Sequence, residues 1–455
     1  MGYKKTITLQ ENLIIKRVKS DNLLFYSGLS YEGLCIIRNF DIPIFVYNML
    51  PDEEADIQIT YYSKKCCFAK VIKYRKLSDL RDELDVSKNK LYETGSAPLL
   101  SLPYKHQLKF KQTIINNLFE RNLNYKNIFP IVPSCSELGY RNKISVHVEY
   151  NDEKPILGFF KKYSHELVEQ DDLHLGTYCI RNFYKNILFQ PQNDLNLKIN
   201  KTIFKFKPSK IVLRSPKSSF SFIEIILKVP TLENKNLIKE LEELNKEVLQ
   251  YKFSIFEKDT KNWTNLLNHE GINYEIGNLS FSVKNNSFYQ TNENIMNLIY
   301  KKINEWIKFQ NLTILDSFGG VGTIGIFVSP KASKVYTVDI NPISTKMAKN
   351  NIEVNKIVNV EAINADANKW LEQNYEKVDL VIFDPPRDGL TQESIKAILK
   401  SKIKNIIYLS CDPKTLVRDL KQITEKDYEI KEVIPYDMFP QTHHIETLVL
   451  LEKIS

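Results

Sequence analysis

From about residue 285 onward, short apolar runs alternate with helical patterns, and this alternation restricts the possible folds more than any other feature. The runs "LTILDSF", "KVYTVDI", "NVEAINA", "VDLVIFD" and "NIIYLSC" have strand length, and amphipathic segments separate them. Parallel strands need crossover connections, so the pattern predicts a multidomain α/β protein whose C-terminal part is a doubly wound, Rossmann-like parallel sheet. Such sheets bind ligands beyond the carboxyl ends of their strands. Two further strand-like runs, near "YEIKEVIPYDMF" and "ETLVLLEK", close the chain. At 455 residues the chain exceeds one compact core, so two or three domains are expected.

The segment 1–85 reads differently. Its β-rich runs are broken at short intervals by Ser-Gly, Glu-Gly and Leu-Pro-Asp, which predicts a small β-barrel of the oligonucleotide-binding type. Within it, "YYSKKCCFAKVIKYRK" sets lysines among aromatics and carries no acid. Such a strand face suits single-stranded nucleic acid, with Lys70 and Lys73 as candidate substrate contacts. The competing reading is a sheet edge blunted by lysines. "SDLRDELDVSKNKLYETGSAPLL" has linker composition. Residues 92–280 read as a central α+β domain: the amphipathic "YKHQLKFKQTIINNLFERNL", strands such as "KISVHVEY" and "FIEIILKV", and the helix "NLIKELEELNKEVLQ". The pattern alone does not disclose its purpose.

Hydrophobic residues at 43% and charged residues at 26% are those of a folded soluble protein. No apolar run reaches the roughly 18 residues of a membrane span, and the start lacks the apolar core of a signal peptide. Gly2 and Thr6 weakly match a myristoylation pattern, but a strand beginning at Lys4-Lys5 is the preferred reading. A cytoplasmic, monomeric protein is expected. The six cysteines form no CxxC pair and no zinc spacing, so no metal site is predicted. The net charge of +8 permits an RNA partner without requiring one, because lysine and asparagine are abundant throughout.

"ILDSFGGVGTIGIF" places Gly320, Gly322 and Gly325 in a G-x-G-x-x-G spacing after the first strand of the series. Glycines there let the backbone approach a ligand at a strand-to-helix turn. Asp339 ends the second strand, where an acid suits the hydroxyls of an adenosine ribose. A dinucleotide and S-adenosylmethionine both fit so far. The fourth strand separates them: it ends in Asp384-Pro385-Pro386-Arg387, an acidic turn stiffened by proline. Dehydrogenases have no use for that turn, whereas methyltransferases hold an acceptor base with it. An aromatic in place of Arg387 would point instead to an exocyclic amine. Asp366, after the third strand, can accept from an adenine amine or cap the next helix.

Cys411 ends the fifth strand on the same rim. Asp412 can cap the following helix and Pro413 suits its first turn, so the thiol lies at a helix N-terminus. That position, with Lys414 and Arg418 nearby, predicts a thiol pKa below the usual value of about 8.5. A thiolate has a use here. Addition at C6 of uracil turns the unreactive C5 into an enolate carbon, and a base must later remove the C5 proton. Glu446, at the start of the last strand, can be that base, with His443 and His444 as rivals.

Taken together, "LDSFGGVGTIG", "DPPRDGL", "YLSCDPKTLVRDL" and "FPQTHHIETLVLLEK" resemble the motifs of the RNA uracil-5 methyltransferase family, which makes 5-methyluridine in ribosomal and transfer RNA. "SFYQTNENIMNLIY" and "ELGYRNKISVHVEY" resemble the family's segment entering the catalytic domain and its central signature. The first segment resembles the TRAM barrel of many members. The resemblance implies S-adenosylmethionine as cofactor, with Gln290, Phe318, Gly320, Gly322, Thr323, Asp339, Asp366 and Asp384 around it. It implies Cys411 as nucleophile, Glu446 as proton acceptor and Arg387 as a substrate contact. Relatives often carry asparagine where Thr323 stands. Many ribosomal members bind an iron–sulfur cluster through cysteines just after the barrel; "SAPLLSLPYKHQLKFKQ" has none, so no cluster is predicted. The expected domains are 1–85 (barrel), 92–280 (central, RNA-binding) and 285–455 (methyltransferase). The expected substrate is RNA, with 23S ribosomal RNA favoured over transfer RNA because members with the barrel resemble the ribosomal enzymes. A non-catalytic RNA-binding or assembly protein is the rival from another class.

Overall fold

The structure, a computed structural model, describes residues 9–19, 25–82, 89–162, 164–217, 223–230, 236–259, 262–267, 272–284 and 287–454. The Gly2 pattern and the strand start at Lys4-Lys5 lie outside the described residues. The chain divides into two compact units: residues 1–117, 161–164 and 439–445, and residues 118–160, 165–438 and 446–455.

The first unit is built on β1 (Ile14–Lys19), β2 (Cys35–Ile37), β3 (Ile44–Tyr47), β4 (Glu54–Tyr62) and β5 (Cys67–Lys76), joined in the order β1-β4-β5-β3-β2. Alternation along β3 and β5 sends Ile44, Val46, Cys67 and Ala69 into a core that Leu99, Leu102 and Phe110 complete. The sequence predicted a barrel; among the described residues β1 and β2 do not pair to close one, so the element established is a five-stranded mixed sheet. The supposed linker is partly pinned. Arg81 makes a buried two-pronged ion pair with Glu53, at 2.6 and 2.8 Å, and Glu53 also accepts from the Ser78 amide. His443 packs edge-on against Tyr31, and its ring lies 4.2 Å from that of His444.

The second unit contains two seven-stranded sheets. The first comprises β6 (Lys143–Asn151), β7 (Lys154–Phe160), β8 (Leu167–Glu169), β9 (Lys210–Arg214), β10 (Ile223–Val229), β11 (Tyr251–Asp259) and β12 (Asn262–Leu267), in the order β12-β11-β10-β9-β6-β7-β8. The helices Tyr178–Phe183, Asp194–Lys205 and Asn236–Glu247 cover one face of it through Ile180, Phe183, Ile199, Ile203, Leu241 and Leu244. A hairpin of β13 (Ile272–Ile276) and β14 (Leu279–Val283) follows.

The second sheet comprises β15 (Leu312–Ser317), β16 (Ala332–Asp339), β17 (Val360–Asn364), β18 (Leu380–Phe383), β19 (Asn405–Ser410), β20 (Tyr428–Tyr436) and β21 (Glu446–Lys453). Its order is β17-β16-β15-β18-β19-β21-β20; the five strands read from the alternation are parallel, and β21 inserts antiparallel between β19 and β20. An all-parallel dinucleotide fold would end with the sixth strand beside the fifth, so this inserted hairpin separates the two ligand readings left by the glycine loop. The order reverses between β15 and β18, which makes the gap beyond their carboxyl ends the place for a ligand.

Candidate active site

The turn after β15 takes its shape from positive φ angles at Phe318 (63°), Gly320 (55°) and Gly322 (83°). A non-glycine residue is rarely held there, so Phe318 is strained and needs outside support. Asp316, fully buried beneath the turn, supplies it: its Oδ2 accepts from the Gly325 amide at 2.9 Å and from the Thr337 hydroxyl at 3.1 Å. Asp339 holds the far side, accepting from the Gly320 amide at 3.0 Å and the Asn341 amide at 2.7 Å. A Cβ on Gly325 would come within 2.1 Å of Thr337 Oγ1, so that glycine serves packing. A Cβ on Gly320 would meet nothing within 4 Å, so the loop is open on the side where a ligand's backbone contacts belong.

Asp384 follows β18 at the switch point, and the side chain of Gln290 hydrogen-bonds to it. Burial first, then the charge of Asp316, pushes its carboxyl up to about 7. Burial alone would do most of this, and it also raises Asp316 to about 7. Gln290 is held in turn: its carbonyl accepts from Asn142 Nδ2 at 3.0 Å, which also donates to Glu293. Asn142 lies in the "YRNKIS" signature, quoted from the sequence without a role. The Thr323 hydroxyl, 2.9 Å from the buried Tyr300 hydroxyl, gains a partner that the sequence did not signal.

Antiparallel register brings the thiol and the carboxylate together. Ser410 of β19 pairs with Thr447 of β21, so one step further the ladder sets Cys411 opposite Glu446. Glu446 is buried, its Oε1 has no hydrogen-bond partner, and its pKa is raised well above the usual value by burial and by Asp384, against Arg387. Asp412 caps the helix Pro413–Ile423, as the sequence predicted, accepting from the Lys414 and Thr415 amides.

The expected low thiol pKa is overturned: the Cys411 thiol is pushed up to about 12. Burial is the main cause, then the charges of Glu446 and Asp384, and Arg387 only partly offsets them. The capping carboxylate of Asp412 already answers the helix terminus, and Arg418 turns away. It donates to Asp419 at 2.8 Å and to the Asp388 carbonyl at 2.7 Å. Asp419, wholly buried, also accepts from the Leu390 amide and the Tyr408 hydroxyl. It thereby ties the Asp384–Gly389 turn to the helix that follows Cys411. Gly389 is required there, because a Cβ would meet Asp419 Oδ2 at 2.4 Å.

The remaining candidates fall in different places. Asp366 caps the helix Ala367–Asn374 through Oδ1, realising the second of its two readings. Arg387 is exposed at the turn. Lys70 and Lys73 are exposed on β5, in the first unit. Among the described residues no three His, Cys, Asp or Glu side chains cluster as metal ligands, and no helix is long and apolar enough to cross a membrane.

The residues fit S-adenosylmethionine. The open face at Gly320, the Asp339 carboxylate beside it and the acid crowding at Asp384 suit an adenosine carrying a sulfonium cation. Residues 103–454 match the tRNA (Uracil-5-)-methyltransferase family. A protein of Bacillus cereus named "Uncharacterized RNA methyltransferase" is 29% identical over 475 residues, covering 100% of both chains. One of the same name from Enterococcus faecalis is 29% identical over 445 residues, covering 93% of this chain and 95% of its own. The tRNA (uracil-54, C5)-methyltransferase of Pyrococcus abyssi, solved with S-adenosyl-L-homocysteine, superposes with a TM-score of 0.69 at 23% identity. It covers 93% of this chain and 97% of its own.

Proposed function

The chain belongs to the tRNA (Uracil-5-)-methyltransferase family of S-adenosylmethionine-dependent RNA methyltransferases, and from that premise we propose that it methylates C5 of an unpaired uridine in 23S ribosomal RNA. The observation that carries the chemistry is the register that opposes Cys411 to Glu446 beside Asp384. A binding protein needs neither group.

Cys411 Sγ bonds to C6 as the half-exposed thiol gives its proton to solvent water, and the C5–C6 π electrons move onto the C5–C4–O4 enolate. S-adenosylmethionine, when bound, supplies a methyl group activated on a positive sulfur. Gln290, Phe318, Gly320, Gly322, Thr323, Asp339, Asp366 and Asp384 hold it in this reading, and Arg387 contacts the uracil. Glu446 then takes the C5 proton, the double bond re-forms, and the Sγ–C6 bond breaks. The dry setting of Glu446 suits a group that must hold a proton briefly. The target base must leave its stack, at a cost of a few kcal/mol that is least in a loop or bulge.

The functional division we propose is 1–85 as a TRAM-type RNA module, 92–280 as a central RNA-binding part and 285–455 as the catalytic part. Support for the first comes from the outer face of its sheet. Phe68 stacks with Phe45 and Tyr47, at 5.5 and 6.1 Å between ring centroids, with Lys70 and Lys73 exposed on the same strand. Transfer RNA is the second reading. The Pyrococcus protein, named for a tRNA uridine, covers 93% of this chain, so an N-terminal strand domain does not by itself favour ribosomal RNA.

Comparing 5-methyluridine in ribosomal and transfer RNA from wild-type and deletion cells tests the target. Loss of a 23S position supports the proposal, loss confined to transfer RNA replaces it with the second reading, and no loss in either removes both. Incubation with 5-fluorouridine RNA and cofactor tests the chemistry, since fluorine at C5 blocks proton removal. The expected result is a stable protein–RNA adduct that Cys411→Ala abolishes; an adduct surviving that change overturns the nucleophile.

A further inference from the structure

Among the described residues the hairpin of β13 and β14 is a two-stranded sheet of its own, so one edge of β14 has no strand beside it. Such an edge presents amides and carbonyls that need partners. The helix Pro342–Val354 and its C-cap residue supply them from side chains. Asn351 Oδ1 accepts from the Ser282 amide at 2.8 Å, and Asn351 Nδ2 donates to the Ser282 carbonyl at 3.3 Å. Asn355, four residues on, accepts from the Ser280 amide at 2.8 Å and donates to the Ser280 carbonyl at 2.7 Å. The spacings match, since four residues rise about 6 Å along a helix and two span about 7 Å of strand. The two asparagines thus stand in for a neighbouring strand. Each Nδ2 has a second hydrogen, and the two go to different places. Asn355 Nδ2 also donates to the Asn351 carbonyl of its own helix, at 2.7 Å. Asn351 Nδ2, wholly buried, also donates to the Val321 carbonyl in the glycine turn, at 3.0 Å.

We infer that Asn351 is a positioning residue for the cofactor turn and ties it to the β13–β14 hairpin. This rests on the reading of that turn as part of the S-adenosylmethionine site. A trans peptide is planar, so a carbonyl fixed on one side directs the amide of the same peptide to the other. Asn351 takes the Val321 carbonyl, and the Gly322 amide of that peptide donates to the Gly319 carbonyl at 2.8 Å. The peptide is therefore held at both ends, where Gly322 has a φ of 83°. The helix lies close to it: a Cβ on Gly322 would come within 3.2 Å of Ala348 Cβ, one turn before Asn351. The hairpin also meets the segment that carries Gln290. Tyr274 of β13 stacks on Tyr289, with 4.1 Å between ring centroids, and Tyr289 directly precedes Gln290. One hairpin thus braces two parts of the cofactor site. A turn set before its ligand arrives spares binding the cost of ordering it.

The test compares Asn351→Ala with Asn355→Ala in the full chain, by calorimetric titration with S-adenosyl-L-homocysteine. Each variant loses two hydrogen bonds to the hairpin, and Asn351→Ala alone also leaves the Val321 carbonyl without this donor. Asn351→Ala is expected to weaken binding by about tenfold and Asn355→Ala by less than about threefold, on the scale of one buried acceptor left unpaired. Affinity for an in-vitro-transcribed hairpin RNA with a uridine-containing loop is expected to stay within about twofold of wild type in both, because distant sites act independently. Equal losses of cofactor affinity in the two variants, or no loss in Asn351→Ala, overturn the assignment. Hydrogen exchange in the wild type reads the same link without any variant. S-adenosyl-L-homocysteine is expected to slow exchange of the Ser280 and Ser282 amides severalfold, together with those of the glycine turn. Protection of the turn without the hairpin overturns the link. Absence of any binding by the wild type overturns instead the cofactor reading on which the link rests.

Discussion

The rim of the second sheet gathers carboxylates, and the face of the first sheet away from its helices gathers mainly cations. At the rim, Asp316 and Asp384 are held up to about 7 and Glu446 well above the usual carboxylate range. On the face, Lys143 is held down to about 8, with Lys228 and His147 also depressed. Folding alone would not select either arrangement, since each destabilises the free protein. At the rim the cofactor brings the opposite charge, a sulfonium cation. The difference lies in burial. Asp316 and Glu446 are enclosed while Asp384 and Cys411 are half-buried, so the rim's charges act strongly on one another and on the thiol; Lys143, Lys210 and Lys228 are all half-exposed, so solvent screens them more.

The largest expected effects lie at the rim. Cys411→Ala should lower methyl incorporation into RNA by more than about 10⁴-fold, as loss of an attacking group does. Glu446→Gln should separate two steps: methyl transfer in a single turnover persists, release of the RNA stalls, and a methylated covalent complex accumulates on denaturing gels. Normal multiple turnover by Glu446→Gln would break the assignment of that carboxylate as the base.

Asp384→Asn sharpens the comparison by removing one charge from the crowd. With Cys411 held up to about 12, partly by Asp384, its alkylation by iodoacetamide should be slow and should rise about tenfold per pH unit from pH 7 to 9. Asp384→Asn should speed alkylation at pH 8 severalfold. The same variant changes stability with a defined sign. The folded Asp384 carboxyl keeps its proton to about 7 against an ordinary value of 3.8, so the folded state binds more protons than the unfolded state between those values. The stability it contributes is present below about pH 4 and is lost as pH rises through about 7. Asp384→Asn should therefore flatten that decline, by at least about 1 kcal/mol at pH 8, as read by urea melts of the free protein. A steeper decline in the variant would remove the crowding argument.

Much of this was legible in the sequence, for a physical reason. Strand–helix alternation is a local signal, and it located the five parallel strands and the turns ending in Phe318, Asp384 and Cys411. What escaped depended on register or on distant partners. The thiol's pKa was misjudged because the sequence shows the helix after Cys411, not the two carboxylates that folding brings to it. Asn142, Tyr300 and Asp419 support Gln290, Thr323 and the Asp384–Gly389 turn from 148, 23 and 29 residues away, measured to the atoms they bond. No local pattern marks such a residue. The row His147, Lys210 and Lys228 was hidden for the same reason, because it forms only once β6, β9 and β10 are in register.

The smallest expected effect lies on that face and tests whether its crowding is real. Lys143 has a folded pKa of about 8 against 10.5, depressed mainly by burial and then by Arg214. A base with a depressed pKa favours folding when neutral, so its contribution is present above about 10.5 and is lost as pH falls through about 8. Lys143→Gln should therefore abolish a rise in stability between pH 8 and 10. Because the side chain is half-exposed and solvent screens it, the change should be no more than about 1 kcal/mol. Lys210→Gln should stabilise the free protein by about 0.5 kcal/mol at pH 7, by removing a cation directly opposite Lys228. A loss of stability in that variant would mean that the fold holds Lys210 in place, and would remove the crowding argument for this face.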